Sequence, residues 1–241
     1  MTVTAPRPRR ATGAPRSRLR TLSTVLMVAG ALLLADAGLA VLWQEPLSAV
    51  YTGIQQGRLQ DRLDTLETAP LEPAQRRAIA ALPDPARKLA FASRAFASKL
   101  GEGDPIGRIR LASAGIDDVM VEGTGAGDLR SGPGHYPGTP LPGRHGTVAV
   151  AGHRTTYGAP FRHLDAVRPG DRVELRMPYG DFTYRVERTR IVAPSAIWVT
   201  KAVGYDRLIL SACHPLYSAA QRIVVFARLE SARPRGAAAA G

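Results

Sequence analysis

Arg207-Leu-Ile-Leu-Ser-Ala-Cys213 and Arg222-Ile-Val-Val-Phe-Ala-Arg-Leu229 are two short apolar runs near the end of the chain. Their β-branched content and short length are typical of strands. The turn between them, residues 215–221, returns the chain antiparallel and sets Arg222 opposite the end of the first strand. Cys213 is the only cysteine in 241 residues. The sequence therefore predicts a reactive thiol and not a disulfide or a structural zinc site.

Five segments upstream show the same strand pattern and are bounded by Gly, Pro or Asp. They are residues 106–110, 118–121, 146–151, 172–177 and 182–191. Seven or eight strands in about 125 residues leave little room for helix. The sequence thus predicts an all-β fold, a closed or nearly closed, antiparallel-rich barrel. We also expect a short helix or turn at 160–167 and a hairpin turn at Tyr179-Gly-Asp181.

A histidine follows the predicted strand at 146–151, in the stretch Thr147-Val-Ala-Val-Ala-Gly-His153. Acyl transfer through a thioester requires a thiol to attack, an imidazole to move protons and a cation to bind the oxyanion. His153, Cys213 and Arg222 are therefore the candidate catalytic residues. Arg154 is the alternative to Arg222.

The other four histidines are predicted to have lesser roles. His135 and His145 lie in Gly/Pro-rich loops, and His163 lies on the polar side of the short helix, so we expect loop or surface residues. His214 follows the cysteine and faces the other side of the strand, because side chains alternate along a strand. We expect His214 to shape the pocket.

The motifs around these residues resemble those of a known family. The motifs are Ala151-Gly-His153-Arg-Thr-Thr, Leu-Ile-Leu-Ser-Ala-Cys213-His-Pro, Ser218-Ala-Ala-Gln-Arg222, Gly132-Pro-Gly-His-Tyr-Pro-Gly138 and Leu141-Pro-Gly-Arg-His-Gly146. Together they resemble a sortase, most closely the class E housekeeping sortases of high-GC Gram-positive bacteria. The similarity runs from about residue 106 to residue 229.

The resemblance implies a cysteine transpeptidase with the sortase barrel. Such an enzyme cuts a sorting signal of the Leu-Ala/Pro-x-Thr-Gly type between Thr and Gly, holds a thioester, and passes the acyl group to an amine of a cell-wall precursor. The family pattern is Thr-Leu-x-Thr-Cys, whereas this chain has Ala212 before the cysteine. We expect Ser211, Ala212 and His214 to contact substrate, with Ser211 supplying the missing hydroxyl. No cofactor and no metal site are predicted.

The first 43 residues predict a membrane anchor. Six arginines and no acid precede residue 21, and residues 21–43 are almost wholly apolar. As a helix this stretch spans roughly 34 Å, enough for a bilayer core of roughly 30 Å. The arginines hold the N-terminus in the cytoplasm and the rest outside. A cleaved signal peptide is the alternative, since Ala35-Asp-Ala37 resembles a cleavage site.

The chain is accordingly divided into a cytoplasmic tail (1–20), an anchor (21–43), a stalk (44–104), a catalytic domain (105–230) and a low-complexity tail (231–241). The stalk has apolar residues at helical spacing and is broken by prolines. A stalk that lifts the domain off the membrane is one interpretation. A helical layer packed on the barrel is the other.

Charge and motif patterns weigh against other functions. The net charge of +12 falls to about +4 once the arginines at both ends are set aside, so nucleic-acid binding is not predicted. An L,D-transpeptidase remains an alternative because of His145-Gly146 and the Ser-x-Cys at 211–213. A catalytically weak, sortase-like adaptor is the third possibility.

Overall fold

The computed structural model describes residues 16–42, 46–69 and 72–239, and within them eight strands close into a barrel. The strands are β1 (Pro105–Leu111), β2 (Ile116–Glu122), β3 (Gly134–His135), β4 (Thr147–Ala151), β5 (Arg172–Met177), β6 (Gly180–Val192), β7 (Arg207–His214) and β8 (Gln221–Pro234). Around the barrel the order is β1-β2-β3-β4-β7-β8-β6-β5. The predicted all-β barrel is confirmed. The sequence pattern missed β3, which has only two residues.

The neighbouring strands are antiparallel except at two places. β2 pairs with β3, and β4 pairs with β7, in parallel. The helices in the described residues are α1 (Arg16–Leu42), α2 (Pro46–Thr68), α3 (Pro73–Ala80), α4 (Pro85–Ala97) and α5 (Ala126–Ser131). Short 3₁₀ turns cover Ala112–Ala114, Leu164–Ala166, Ile197–Thr200 and Gly236–Ala238.

Helix α1 is a unit of its own. Its segment Arg20–Gly38 has 19 residues and is long and apolar enough to cross a membrane, judged by length and composition. The arginines before residue 16 and the tryptophan at position 43, which also belong to the predicted anchor region, lie outside the described residues.

Alternation along β7 divides its side chains between two apolar clusters. Leu208, Leu210 and Ala212 belong to the main core, the interior cluster, which also contains Val148 and Val150 of β4. Their neighbour Ile209 belongs to a second group, the outer cluster, which lies on the other face of the strands. The other buried members of the outer cluster are Ala149, Val199, Val224 and Phe226. The 3₁₀ turn Ile197–Thr200 supplies Val199, so the connection between β6 and β7 covers this face.

The segment predicted as a stalk packs on the barrel. In α2, Leu59 and Leu63 are buried against Val119 and Val121 of β2. Gln56 of α2 accepts from the N–H of Val119 at 2.7 Å and donates to its carbonyl at 3.0 Å. Farther along the segment, Ile79 of α3 and Leu89 and Ala92 of α4 join the interior cluster. The described residues of 44–104 therefore form a helical layer packed on the barrel and not a free stalk.

Two other expectations need correction. β8 continues to Pro234, opposite Gly180, so the predicted tail from 231 onward begins as barrel strand. Arg235 then donates to both carboxylate oxygens of Glu67. The hairpin turn is Pro178-Tyr179, one residue earlier than expected, because Met177 pairs with Gly180. The predicted short helix or turn at 160–167 is confirmed, since residues 160–163 form a turn and Leu164–Ala166 form a 3₁₀ helix.

Candidate active site

Cys213 and Arg222 are direct cross-strand partners next to the turn that connects β7 and β8. Residues directly opposite each other in an antiparallel pair have their side chains on the same face. The prediction that Arg222 stands opposite the end of the cysteine strand is confirmed. Both side chains are half-buried, so a ligand can reach them. Nη1 of Arg222 donates to the carbonyls of Ala219 and Gln221, each at 2.9 Å, which ties the guanidinium to the turn before β8.

His153 is brought to the same level by the parallel register of β4 and β7. Ala151 pairs with Ser211, and the N–H of Gly152 donates to the carbonyl of Ser211 at 3.0 Å. His153 and Cys213 each lie two residues beyond that pair. Beyond them, Nη1 of Arg154 and Nδ1 of His214 are 2.9 Å apart, so a side-chain contact still joins the two segments.

Glycine at position 152 allows the chain to reach this position. A Cβ atom there would lie 2.7 Å from the ring of Phe161, which is fully buried. The N–H of Phe161 donates to the carbonyl of His153 at 3.0 Å, so ring and backbone approach together. The phenylalanine therefore supports the segment that carries His153, and only glycine fits between them.

The His153 imidazole lies beside Tyr157 and near Arg130. The two ring centroids of His153 and Tyr157 are 5.2 Å apart with planes tilted by 43°. The Arg130 guanidinium is 5.4 Å from the Tyr157 ring centre. Partial burial lowers the pKa of His153, and the positive charge of Arg130 lowers it further. The ring is thus neutral at neutral pH and able to accept a proton from a thiol.

Helix α2 contacts helix α5 and the loop at Tyr157, the two segments that flank the imidazole. Ser48 Oγ accepts from the N–H of Tyr157 at 3.2 Å, and Thr52 Oγ1 donates to the carbonyl of Arg130 at 3.2 Å. The helical layer therefore helps to fix the surroundings of His153. No sequence pattern pointed to Tyr157, Arg130 or these contacts, since each depends on how the helical layer docks.

The predicted substrate-binding residues lie on different faces of β7. Ala212 is 3% exposed and packs in the interior cluster with Ile223, its partner on β8. Alternation along β7 therefore turns the Ala212 side chain away from Cys213, and its contact with substrate stays a prediction. Ser211 is on the face of Cys213 but is buried against β8. Its contact with substrate stays a prediction.

His214 and Arg154, the residues directly after Cys213 and His153, contact each other through their side chains, and we call this contact the junction. His214 is half-buried, and its Nδ1 contacts Arg154. The Arg154 guanidinium is 2% exposed and also contacts Asp165 at 2.9 Å. Because it is buried and bonded, Arg154 is less suited than half-exposed Arg222 to bind an oxyanion. A substrate role for His214 stays a prediction.

The remaining histidines fall into two groups. His145, paired with Asp206 at 2.7 Å, and His163 are exposed, as expected. The expectation for His135 is wrong: it lies in β3 and is 2% exposed, with Nδ1 2.8 Å from Glu122 and Nε2 3.0 Å from Thr139. It fastens the Gly/Pro-rich loop to β2. Across residues 16–42, 46–69 and 72–239, no group of three or more His, Cys, Asp and Glu is arranged to hold a metal ion.

Comparison with known proteins agrees with this fold. The family model described as "Sortase domain" matches residues 109–230, half of the chain. The chain belongs to the sortase family, whose members are cysteine transpeptidases, and it is similar to sortase E. This assignment separates it from the L,D-transpeptidases.

Individual relatives support the same assignment. Sortase D of Bacillus subtilis is 31% identical over 130 residues, covering 52% of this chain and 64% of that protein. Sortase SrtE1 of Streptomyces coelicolor is 30% identical over 99 residues, covering 37% of this chain and 28% of that protein. The matches thus span less than two thirds of either relative.

Solved structures extend the comparison. Sortase E from Streptomyces avermitilis matches with a TM-score of 0.51 and 33% identity, covering 56% of this chain and 93% of that one. A Clostridium perfringens sortase D5 matches with a TM-score of 0.58, covering 73% of this chain and 99% of that one. Since the latter is only 19% identical, it bears on the fold alone.

Proposed function

We propose that this chain is a membrane-anchored cysteine transpeptidase that cleaves a sorting signal between Thr and Gly and transfers the acyl half to a cell-wall amine. The observation that carries the proposal is the convergence of three strand ends. Cys213 is paired with Arg222 across β7 and β8, and the parallel register of β4 and β7 brings His153 level with the thiol. These three groups match the needs of thioester chemistry.

In the proposed first half-reaction, neutral His153 accepts the proton of the Cys213 thiol, and the thiolate attacks the carbonyl carbon of the signal's threonine. Arg222 donates to the oxyanion of the tetrahedral intermediate. The imidazolium then gives its proton to the departing glycine amine, the C–N bond breaks, and a thioester remains.

In the second half-reaction an amine of a peptidoglycan precursor attacks the thioester. His153 takes a proton from the attacking amine, a second oxyanion forms beside Arg222, and collapse of this intermediate releases the thiolate. The imidazolium can then return its proton to sulfur. The site therefore ends in its starting protonation state without a cofactor.

Exposed apolar side chains near the three groups suit a peptide with apolar residues. Leu216 and Tyr217, in the turn after Cys213, are 37% and 62% exposed. Val192, which is half-buried, pairs with Arg222 across β6 and β8 and therefore lies on the same face as Arg222. We infer that Leu and Ala or Pro of a Leu-Ala/Pro-x-Thr-Gly signal pack against such side chains, which removes apolar surface from water.

The apolar helix supports a proposal for the location. We propose that Arg20–Gly38 crosses the cell membrane once, with the arginine-rich end in the cytoplasm and the barrel outside. Sorting signals of secreted surface proteins, a precursor amine and membrane lipid are then the partners, and nucleic acid is not. Protease added to intact cells should remove the barrel. A protein released to the medium with a new N-terminus near Gly38 would support a cleaved signal peptide.

A peptide library tests the activity. The barrel with its helical layer, incubated with Leu-x-x-Thr-Gly peptides and hydroxylamine, should give products cut after threonine, and Cys213→Ala and His153→Ala should give none. If the wild-type protein cuts no peptide while remaining folded, the adaptor function is the correct one.

A further inference from the structure

Arg154 is a buried cation directly after the candidate base. The residue is 2% exposed, and all three of its guanidinium nitrogens have partners. Nε donates to the carbonyl of Arg162 at 3.2 Å, Nη1 contacts Nδ1 of His214 at 2.9 Å, and Nη2 contacts the Asp165 carboxylate at 2.9 Å. A cation is costly to remove from water unless such partners compensate it. The cluster is therefore an organised junction.

The junction fixes the proton of His214. A guanidinium has only N–H donors, so Nδ1 of His214 must accept the hydrogen bond from Arg154. The ring then carries its proton on Nε2. Because the tautomer of a histidine is set by the bond that its other nitrogen makes, Arg154 decides which nitrogen of His214 can donate.

The junction also lies where backbone pairing between the two strands stops. β4 ends at Ala151, and the last backbone bond from this segment to β7 is from Gly152 to Ser211 at 3.0 Å. His153 is held on its other side by its carbonyl, which accepts from Phe161. The Arg154 side chain is the contact that joins this segment to β7 on the far side of His153.

We propose that Arg154 is a positioning residue that clamps the ends of β4 and β7 together, holds His153 beside Cys213 and fixes His214 as the Nε2–H tautomer. This inference rests on the proposed function of His153 and Cys213. Arg154 itself does not touch the reacting atoms. Asp165, whose side chain is 57% exposed, and the carbonyl of Arg162 orient the guanidinium.

A spectroscopic test needs neither a variant nor a substrate. In ¹⁵N-labelled wild-type protein at neutral pH, the His214 ring should show the bare-nitrogen signal at Nδ1 and the protonated signal at Nε2. A proton on Nδ1 would overturn the clamp, since two donors cannot share one hydrogen bond.

Variants test the positioning role. In folded Arg154→Met, kcat for peptide cleavage should fall roughly 10- to 100-fold, the usual effect of misplacing a reacting group by about 1 Å, with KM changed less than threefold. Alkylation of Cys213 by iodoacetamide should slow in parallel. Arg154→Lys should recover part of both rates, because lysine supplies one donor but not the planar fork. Exposed Arg110→Met on β1 is the matched control.

The alkylation rates separate failure of the clamp from failure of the proposed function. If wild type cleaves no peptide but Arg154→Met still slows alkylation, the clamp stands without the transpeptidase. If alkylation of folded Arg154→Met stays within twofold of wild type, the clamp is wrong. Should Arg154→Met not fold, the same criterion applies to Arg154→Lys, whose alkylation must fall between wild type and His153→Ala.

Coupling between the two residues provides the last measurement. Single and double variants Arg154→Met and His214→Phe form a cycle. The effect of Arg154→Met on alkylation should largely disappear when His214→Phe is already present. Independent, multiplicative effects would show that the two side chains do not act together and would contradict the proposal.

Discussion

Cys213 and Arg222 face each other across the β7–β8 pair, so the backbone ladder fixes their separation. The side chains can therefore be changed without moving the strands that present them. This makes the site unusually suited to substitution experiments, since a loss of rate can be assigned to the missing group.

Arg222→Lys should keep the fold and the positive charge but lose rate. The guanidinium is bonded to two carbonyls of its own turn, and lysine cannot reproduce that geometry while also meeting an oxyanion. We expect kcat/KM for a sorting peptide to fall roughly 10²- to 10³-fold. Arg110→Lys should leave it unchanged. A rate within threefold of wild type for Arg222→Lys would show that charge alone is enough.

The pH dependence should reflect the lowered pKa of His153. Cleavage requires a neutral imidazole, so activity should be lost on acidification with a midpoint below about 6.5, the ordinary histidine value. Arg130→Gln removes a positive charge that disfavours the imidazolium. The acid limb of kcat/KM should then move to higher pH, and Arg110→Gln should leave it in place. An acid limb that does not move on Arg130→Gln would remove Arg130 from the account of this pKa.

Gly152→Ala should disturb His153 through Phe161. The new methyl group would lie 2.7 Å from a buried ring, so the segment that carries the imidazole must shift. We expect a loss of at least about tenfold in kcat, since small misplacements of catalytic groups are costly. Gly204→Ala is the control, because a Cβ there meets open space. Phe161→Leu in the Gly152→Ala background should restore part of the rate. Full activity of Gly152→Ala would mean that the close contact is not a constraint.

Ala212→Thr should destabilise the barrel and not speed the reaction. The extra atoms and hydroxyl would enter the interior cluster beside Ile223, where overpacking costs about 1–3 kcal/mol. In a chain of this size that lowers Tm by roughly 2–12 °C. Ala220→Thr, in the exposed turn, should leave Tm unchanged. A faster enzyme with an unaltered Tm would restore the substrate contact first expected at this position.

Much of the barrel and the three catalytic candidates could be predicted from sequence. The reason is that β4, β7 and β8 have strong strand patterns, with a histidine, a cysteine and an arginine at or next to their ends. The inward direction of Ala212 was also readable, since Leu208, Leu210 and Ala212 alternate with the face of Cys213. Strand β3 could not be predicted, because two residues are too few to show the alternation of apolar and polar side chains. The contact between Arg154 and His214 could not be predicted either, because it depends on the parallel register of β4 and β7, which no local sequence pattern indicates.

The surface on which the helical layer packs could not be predicted from the sequence either. Apolar spacing at Leu59 and Leu63 predicts a helix but not the surface against which it packs. The partner is the outer side of β2, and the fit depends on Gln56 satisfying the backbone of Val119. Contacts of this kind are set by the assembled barrel and leave no local pattern.

The most direct test of the account is mass spectrometry of the enzyme trapped with a Leu-Ala-x-Thr-Gly peptide. We predict a covalent adduct on Cys213 whose mass is that of the peptide up to threonine, lost on treatment with hydroxylamine and missing in Cys213→Ala. Cleavage that persists in Cys213→Ala, or a folded wild-type protein that forms no adduct with any peptide of the library, would contradict the thioester mechanism.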